Sequence, residues 1–370
     1  LTKNEPPLKR VIDASHRPRR YDPLYSDVDG TMIGIQLPGT VMLRQVAQAL
    51  TARATLRIAE DDFDGTWADL LACHRLARLT GQGPNLVDAL TGTGLESAAC
   101  QGDQLLLANL HIDAKQAARM QKGLGELLPL PKMADTIDVE ARFTFLDSAM
   151  TVLRDIRKHP QAKPTFLGRF LPGGGDADWD LVLRMGRSWY DRMVDAVHRP
   201  TRAERQRALR TIEADFDAFI AGLKNQGDLS KILNGRTLRS QAIFGVVYAM
   251  LAPNARICSD GDDRAAMVLE LTKVACALIG YRADHGSYPN QLAELSPKYI
   301  VEIPLDVFSG KPLRYVRYGN DMLLYSVGVN ERDDGGRDYN DWLGAPEDVI
   351  LLPCDDLVVR LPVAFQYSEQ

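Results

Sequence analysis

The sequence predicts a mainly α protein: irregular antiparallel helical hairpins followed by a small α+β module with an antiparallel sheet. Three observations carry this. Apolar residues recur at spacings of three and four from residue 38 to about 252. Clusters of Gly, Pro and Asp interrupt that pattern at short intervals, as turns do. Beyond residue 286 the period changes to alternation around Tyr315 and Leu323, with the turn residues Gly319-Asn320-Asp321 between them. The chain thus divides into an extended N-terminal arm (1–37), an all-helical domain (38–255) and an α+β module (256–370).

At 370 residues there is room for two or three cores, and 45% apolar with 25% charged residues is ordinary for a globular chain. Lys and Arg total 44 against 49 Asp and Glu, a net charge of −5, which disfavours nucleic acid as a partner. The chain begins at Leu1 rather than Met, so an N-terminal segment is expected to have been removed, and a membrane anchor or signal sequence could have lain there. The apolar run 242–253 is too short to span a bilayer and reads as a buried helix. The five cysteines form no C-x-x-C pair, which argues against a zinc site of that spacing. Cys73, Cys100 and Cys276 sit among apolar residues as small hydrophobes, and spacing does not decide whether Cys258 and Cys354 pair.

Taken in order, residues 1–37 lack periodicity, and Arg17-Pro18-Arg19-Arg20 reads as a solvated arm. Leu43, Val46, Leu50, Ala54 and Ile58 make the first helical stripe. Asp61-Asp62-Phe63-Asp64-Gly65 ends it, and Trp67, Leu70, Leu71, Ala77 and Leu79 begin an antiparallel partner. Gly81-Gln82-Gly83-Pro84 precedes the next helix, and Asp113 is placed to cap the one after. A helix over 138–157 leads to the linker-like stretch 159–178, with Gly173-Gly174-Gly175. Helices resume at 179–198 and 201–223, the latter opened by a Thr201/Glu204 capping box. Elements at 229–233 and 239–251 complete the domain. The hairpin at 43–79 resembles a tetratricopeptide-like unit, without a strict repeat.

No motif spells out a reaction, so no catalytic residue is assigned. Asp27-Val28-Asp29-Gly30-Thr31 matches the D-x-D-G-T loop of haloacid-dehalogenase-type phosphatases. That chemistry needs a hydrophobic strand ending at the first Asp, and the residues before it, Tyr21 to Ser26, include Pro23 and no apolar run. An Asp/Gly turn is the better reading. Ser309-Gly310-Lys311-Pro312 has a proline where a P-loop needs Ser or Thr. His74 stands alone on an apolar helix and reads as packed and hydrogen-bonded.

The C-terminal module is more specific. An acidic start (Ser259, Asp260, Asp262, Asp263) leads into the stripe Met267, Leu271, Val274, Leu278, Tyr281. Then come Gly286, Tyr288-Pro289, a short helix at 291–295, Pro304-x-Asp306-x-x-x-Gly310-x-Pro312 and Ser326-x-Gly328. In this order they resemble the globular half of the major pseudopilin of type II secretion, over about 80 residues. The resemblance implies Ca²⁺ in the loop after S-x-G, held here by Asn330, Asp338 and Asp341, with Asp333 and Asp334 as extra acids. Unlike a pseudopilin, the chain has a polar segment, 255–264, where the filament helix would be. Leu71-Ala72-Cys73-His74-Arg75-Leu76, Gly81-Gln82-Gly83-Pro84 and Tyr325-Ser326-Val327-Gly328 also resemble large exported planctomycete-type proteins, a family without an established activity. These readings lead to an extracytoplasmic interaction or structural protein with a protein partner, a helical binding surface and a pilin-like head. The alternative is a hydrolase with its site in a groove of the helical domain. A cleft holding perturbed acids and a histidine would favour the alternative.

Overall fold

The computed structural model describes residues 4–26, 30–32, 34–158, 177–225, 235–339, 341 and 353–362. Asp27 and Asp29, the Gly173-Gly174-Gly175 stretch and the element expected at 229–233 lie outside the described residues. The described chain is mainly helical, with a small antiparallel sheet near its C-terminal end.

The expected extended arm is corrected at its start, because Glu5–Ser15 form α1. Pro6 and Pro7 fall in the first turn, where a missing N–H costs nothing. Leu8, Val11 and Ile12 then meet the helices that follow, and Glu5 reaches Arg53 at 2.8 Å. A stripe this short, ahead of basic residues, is hard to read as periodic without the surface it covers.

Two helical hairpins follow, from α2 (Pro38–Ala59), α3 (Phe63–Gly81) and α4 (Leu86–Asn109). Asp62 and Asn85 cap the second and third through the backbone N–H groups of Gly65 and Asp88. The antiparallel pairing of α2 and α3 is marked by Arg53 with Asp69 and by Cys73 with the Ala47 carbonyl. Gly92 lets α4 approach α3 closely, since a Cβ there would lie 2.7 Å from the Ala77 carbonyl oxygen. Then comes α5 (Ala114–Gly125), opened by the capping box of Asp113 and Gln116. Next, α6 (Met133–Thr136) runs through a π turn (Ile137–Ala141) into α7 (Arg142–Lys158).

A second helical group packs α7 with α8 (Trp179–Val197), α9 (Arg202–Asn225) and α10 (Arg236–Leu251) around Tyr190, Phe244, Val247 and Tyr248. The run 236–285 is long and apolar enough by composition to cross a membrane. It is two helices, α10 and α11 (Ala255–His285), broken between Ala252 and Asn254, and Phe244, Val247, Leu271 and Val274 are core residues.

α11 is buried nearly all round between residues 271 and 280. One side meets α4 and α5; the other meets the sheet. The sheet has order β1 (Arg314–Tyr318), β2 (Asp321–Ser326), β3 (Leu357–Leu361), all antiparallel. A two-residue turn at Gly319-Asn320 joins the first pair, with Gly319 at φ 60°. The third strand goes beyond the two strand-like runs legible in the sequence. The boundary expected at 255/256 coincides with the start of α11, but this helix shares one core with both parts: Trp67, Leu106 and Met120 cluster with Leu278, Leu324 and Val359.

The close α3–α4 crossing generates a paired prediction. Gly92→Ala should destabilise the protein by about 1–3 kcal/mol through overpacking. Gly94→Ala, on the same helix but exposed with nothing within 4 Å of its Cβ, should stabilise it by up to about 1 kcal/mol. Urea denaturation of the two variants checks this, and equal shifts would contradict the crossing.

Candidate functional site

Two connected polar features occupy the helical region. The first is a charge network inside the α3–α4 interface. His74 and Arg78 are one turn apart on α3; Glu96, Cys100 and Asp103 line one face of α4 at spacings of four and three. His74 Nε2 lies 2.9 Å from Asp103 Oδ2, and Nδ1 lies 3.0 Å from Glu96 Oε2. Arg78 forks onto Glu96, with Nη1 at 2.6 Å from Oε2 and Nη2 at 3.2 Å from Oε1. Its Nη1 also donates to the His74 carbonyl, and its Nε to the Leu128 carbonyl. His74 and Asp103 are fully buried.

Burial works to neutralise these groups, and their neighbours largely oppose it. Burial would lower the His74 pKa, but the charges of Glu96 and Asp103 prevail and lift it to about 9. Burial would raise Glu96, but His74 and Arg78 hold it down to about 2. Asp103 stays raised by burial, only partly offset by His74. Imidazolium, guanidinium and two carboxylates thus balance in charge, and this is how a buried network survives desolvation.

The second feature is a cavity of about 440 Å³ beside the network. Arg78 and Glu96 reach it from α3 and α4, Leu127 to Lys132 from the turn after α5, Arg205 from α9, and Asp262 to Lys273 from α11. Most of its charges are paired. Arg205 Nη2 holds Asp263 at 2.6 and 2.8 Å, and Lys273 Nζ holds Glu270 at 2.8 Å. Asp262 instead accepts the backbone N–H groups of Met133 at 2.9 Å and Ala134 at 3.2 Å. Burial pushes it up to about 6, against those two hydrogen bonds. Asp262 is half-buried and Lys132 exposed at the cavity wall, and no salt bridge is formed by either among the described residues.

The residues expected to hold Ca²⁺ each have protein partners. Asn330 Nδ2 donates to Asp334 Oδ2 at 2.9 Å, and the Asn330 backbone N–H donates to Asp355. Asp338 and Asp341 accept each other's backbone N–H groups, at 2.8 and 3.0 Å, and Asp341 is also bound by Arg360. Asp333 accepts from Tyr325, and Asp334 from Arg332. Among the described residues, the loop carboxylates make no group of three converging ligand atoms; His74, Glu96 and Cys100 do. Among the described residues no disulfide joins Cys258 to Cys354. The packed, hydrogen-bonded His74 was legible in the sequence; its partners were missed. The available signal was Glu96, Cys100 and Asp103 sharing a face of α4 with buried Ala99 and Leu106.

No family model matches this chain, and no curated protein or solved structure matches it.

Asp262 sets a pH dependence whose sign follows from its raised value. Its stabilising contribution is complete below the ordinary 3.8 and is lost as pH rises through about 6. Asp262→Asn removes that titration, so thermal melts should shift in favour of the variant, relative to wild type, between pH 4 and pH 7 (about the window those values define). A difference in melting temperature that stays constant over this range would contradict the assignment.

Proposed function

We propose that this chain is an extracytoplasmic interaction protein whose helical binding surface is the cleft, carried beside a pilin-like head. The carrying observation is the cavity of about 440 Å³ where α3, α4, α9 and α11 meet. A cavity of this size suits a small molecule rather than a peptide groove. Asp262 and Lys132, neither in an ion pair, favour a ligand with one cationic and one anionic group, of roughly amino-acid size.

Support for the pilin-like head comes from the order of elements: a long helix packed on an antiparallel hairpin, with Asp306 tied to Ser326. The extracytoplasmic placement rests on that resemblance. The calcium proposal rests on the oxygen-rich loop of Asn330, Asp338 and Asp341, where an ion would have to compete with Arg360 for Asp341. A protein partner is supported by Val301, Leu305 and Val307, apolar side chains left exposed ahead of β1.

A hydrolase is the second reading, favoured by two perturbed acids on the cleft wall, Asp262 and Glu96, the latter against His74. A carboxyl raised to about 6 on a cleft wall suits general acid–base work near neutral pH. Turnover of an ester or amide that disappears in Asp262→Asn would favour it over binding.

One experiment addresses the first reading. Crystals of the full chain are soaked with a panel of small zwitterions, cations and anions, together with millimolar CaCl₂. Zwitterions should occupy the cleft between Asp262 and Lys132, and Lys132→Ala should empty it without changing the melting temperature of the free protein. Fragments gathering elsewhere, with the cleft vacant across the panel, would overturn the cleft as a binding surface. An ion peak bounded by Asn330, Asp338 and Asp341 is the expected result for the head, and its absence at that concentration would end the calcium proposal.

A further inference from the structure

Separate from the ligand of the cleft, we propose that His74, Glu96 and Cys100 form a buried site for a divalent metal of the zinc class, with Asp103 as the residue that orients the histidine.

The three residues each offer a ligand atom, and these atoms all lie within 4.8 Å of one another. They supply nitrogen, oxygen and sulfur, a set that suits zinc or cobalt and is too soft for magnesium or calcium. The histidine is posed for the role. Nε2 faces Asp103 at 2.9 Å, so its proton is committed there. This leaves Nδ1, which is buried and faces Glu96 Oε2 at 3.0 Å without hydrogen-bond geometry. Carboxylate, imidazole and metal in that order are how proteins fix the tautomer of a ligating histidine.

An ion-pair network alone accounts for Arg78 on Glu96 and for His74 on Asp103. It also places Nδ1 against Glu96, but it gives no reason for a thiol at the same point. Charge balance removes the usual objection to adding an ion to a dry interior. Binding a divalent cation displaces the imidazolium proton of His74 and the thiol proton of Cys100. Two positive charges enter and two protons leave, so the balance with Glu96, Asp103 and Arg78 is unchanged. Glu96 lines the cavity as well as the network, so the site adjoins the cleft.

The test uses the full chain stripped of metal and titrated with Co²⁺ alone. One ion should bind per chain, with a thiolate-to-cobalt charge-transfer band that Zn²⁺ abolishes by displacement. Cys100→Ser should lose this band, and Cys354→Ser should keep it. Asp103→Asn should keep the band while Zn²⁺ affinity falls by about 10–100-fold, the effect of removing an orienting partner. A band that survives Cys100→Ser, or folded wild type that shows no band in excess Co²⁺, would overturn the site. Should Cys100→Ser fail to fold, zinc X-ray absorption of the wild type decides. The expected result is one sulfur at about 2.3 Å with lighter ligands at about 2.0–2.2 Å, and a spectrum without sulfur contradicts the proposal.

Discussion

The burial of α11 on opposite sides is the constraint from which the rest of the architecture follows. From Leu271 to Ile279 every residue but Lys273 is buried, so no single partner layer can cover the helix. A helix apolar all round needs protein on all sides. The α2–α5 hairpins supply one cover and the three-stranded sheet the other. Ala275, Cys276, Ala277 and Gly280 keep the helix slim enough for both; at Gly280 even a Cβ would come within 3.3 Å of Tyr299. The acidic start of α11 has its own partners: Asp260 and Asp263 hold Arg202, and Asp263 also holds Arg205, both arginines from α9. Arg202 further lies over the Phe308 ring at 4.7 Å, linking the second helical group to the sheet module.

Against this apolar frame, the hairpin interior carries a row of buried charge pairs: Arg53 with Asp69, Arg78 with Glu96, His74 with Asp103. Such pairs contribute little net stability, because desolvation offsets most of their attraction. Their effect is selective. Apolar stripes on α3 and α4 would tolerate sliding by a turn, whereas a slide would leave these charges buried without partners. The same pairs bring Arg78 and Glu96 to the edge of the cleft, so the packing device and the candidate site share residues.

Much of the fold was legible because periodicity is a local property. The Met267, Leu271, Val274, Leu278, Tyr281 stripe, the Asp113 cap and the Gly319 turn each report their structure from a few neighbouring residues. The motif residues of the C-terminal module also have local jobs. Asp306 accepts from Ser326 Oγ at 2.8 Å and from Val327 N–H at 3.1 Å, and Gly328, at φ 67°, leaves no space for a Cβ beside the Asp355 carbonyl. What was not legible depended on distance along the chain. α1 is defined by what it covers, and β3 by a partner 31 to 39 residues earlier. His74 needed Asp103, 29 positions away, before its environment had meaning. The loop residues also depend on distant partners: the resemblance implied them as ligands, and the structure adds Arg360 on Asp341 and Asp334 on Asn330.

The central claim is that the helical hairpins and the sheet share one core through α11. Native-state hydrogen exchange of the full chain tests it most directly. The account predicts that the slowest amides of α3 and β2 open with the same free energy, and that Leu278→Ala lowers both together by about 2–5 kcal/mol. Amides of β2 that open at much lower free energy than those of α3, or a variant that shifts only one of the two, would contradict a shared core.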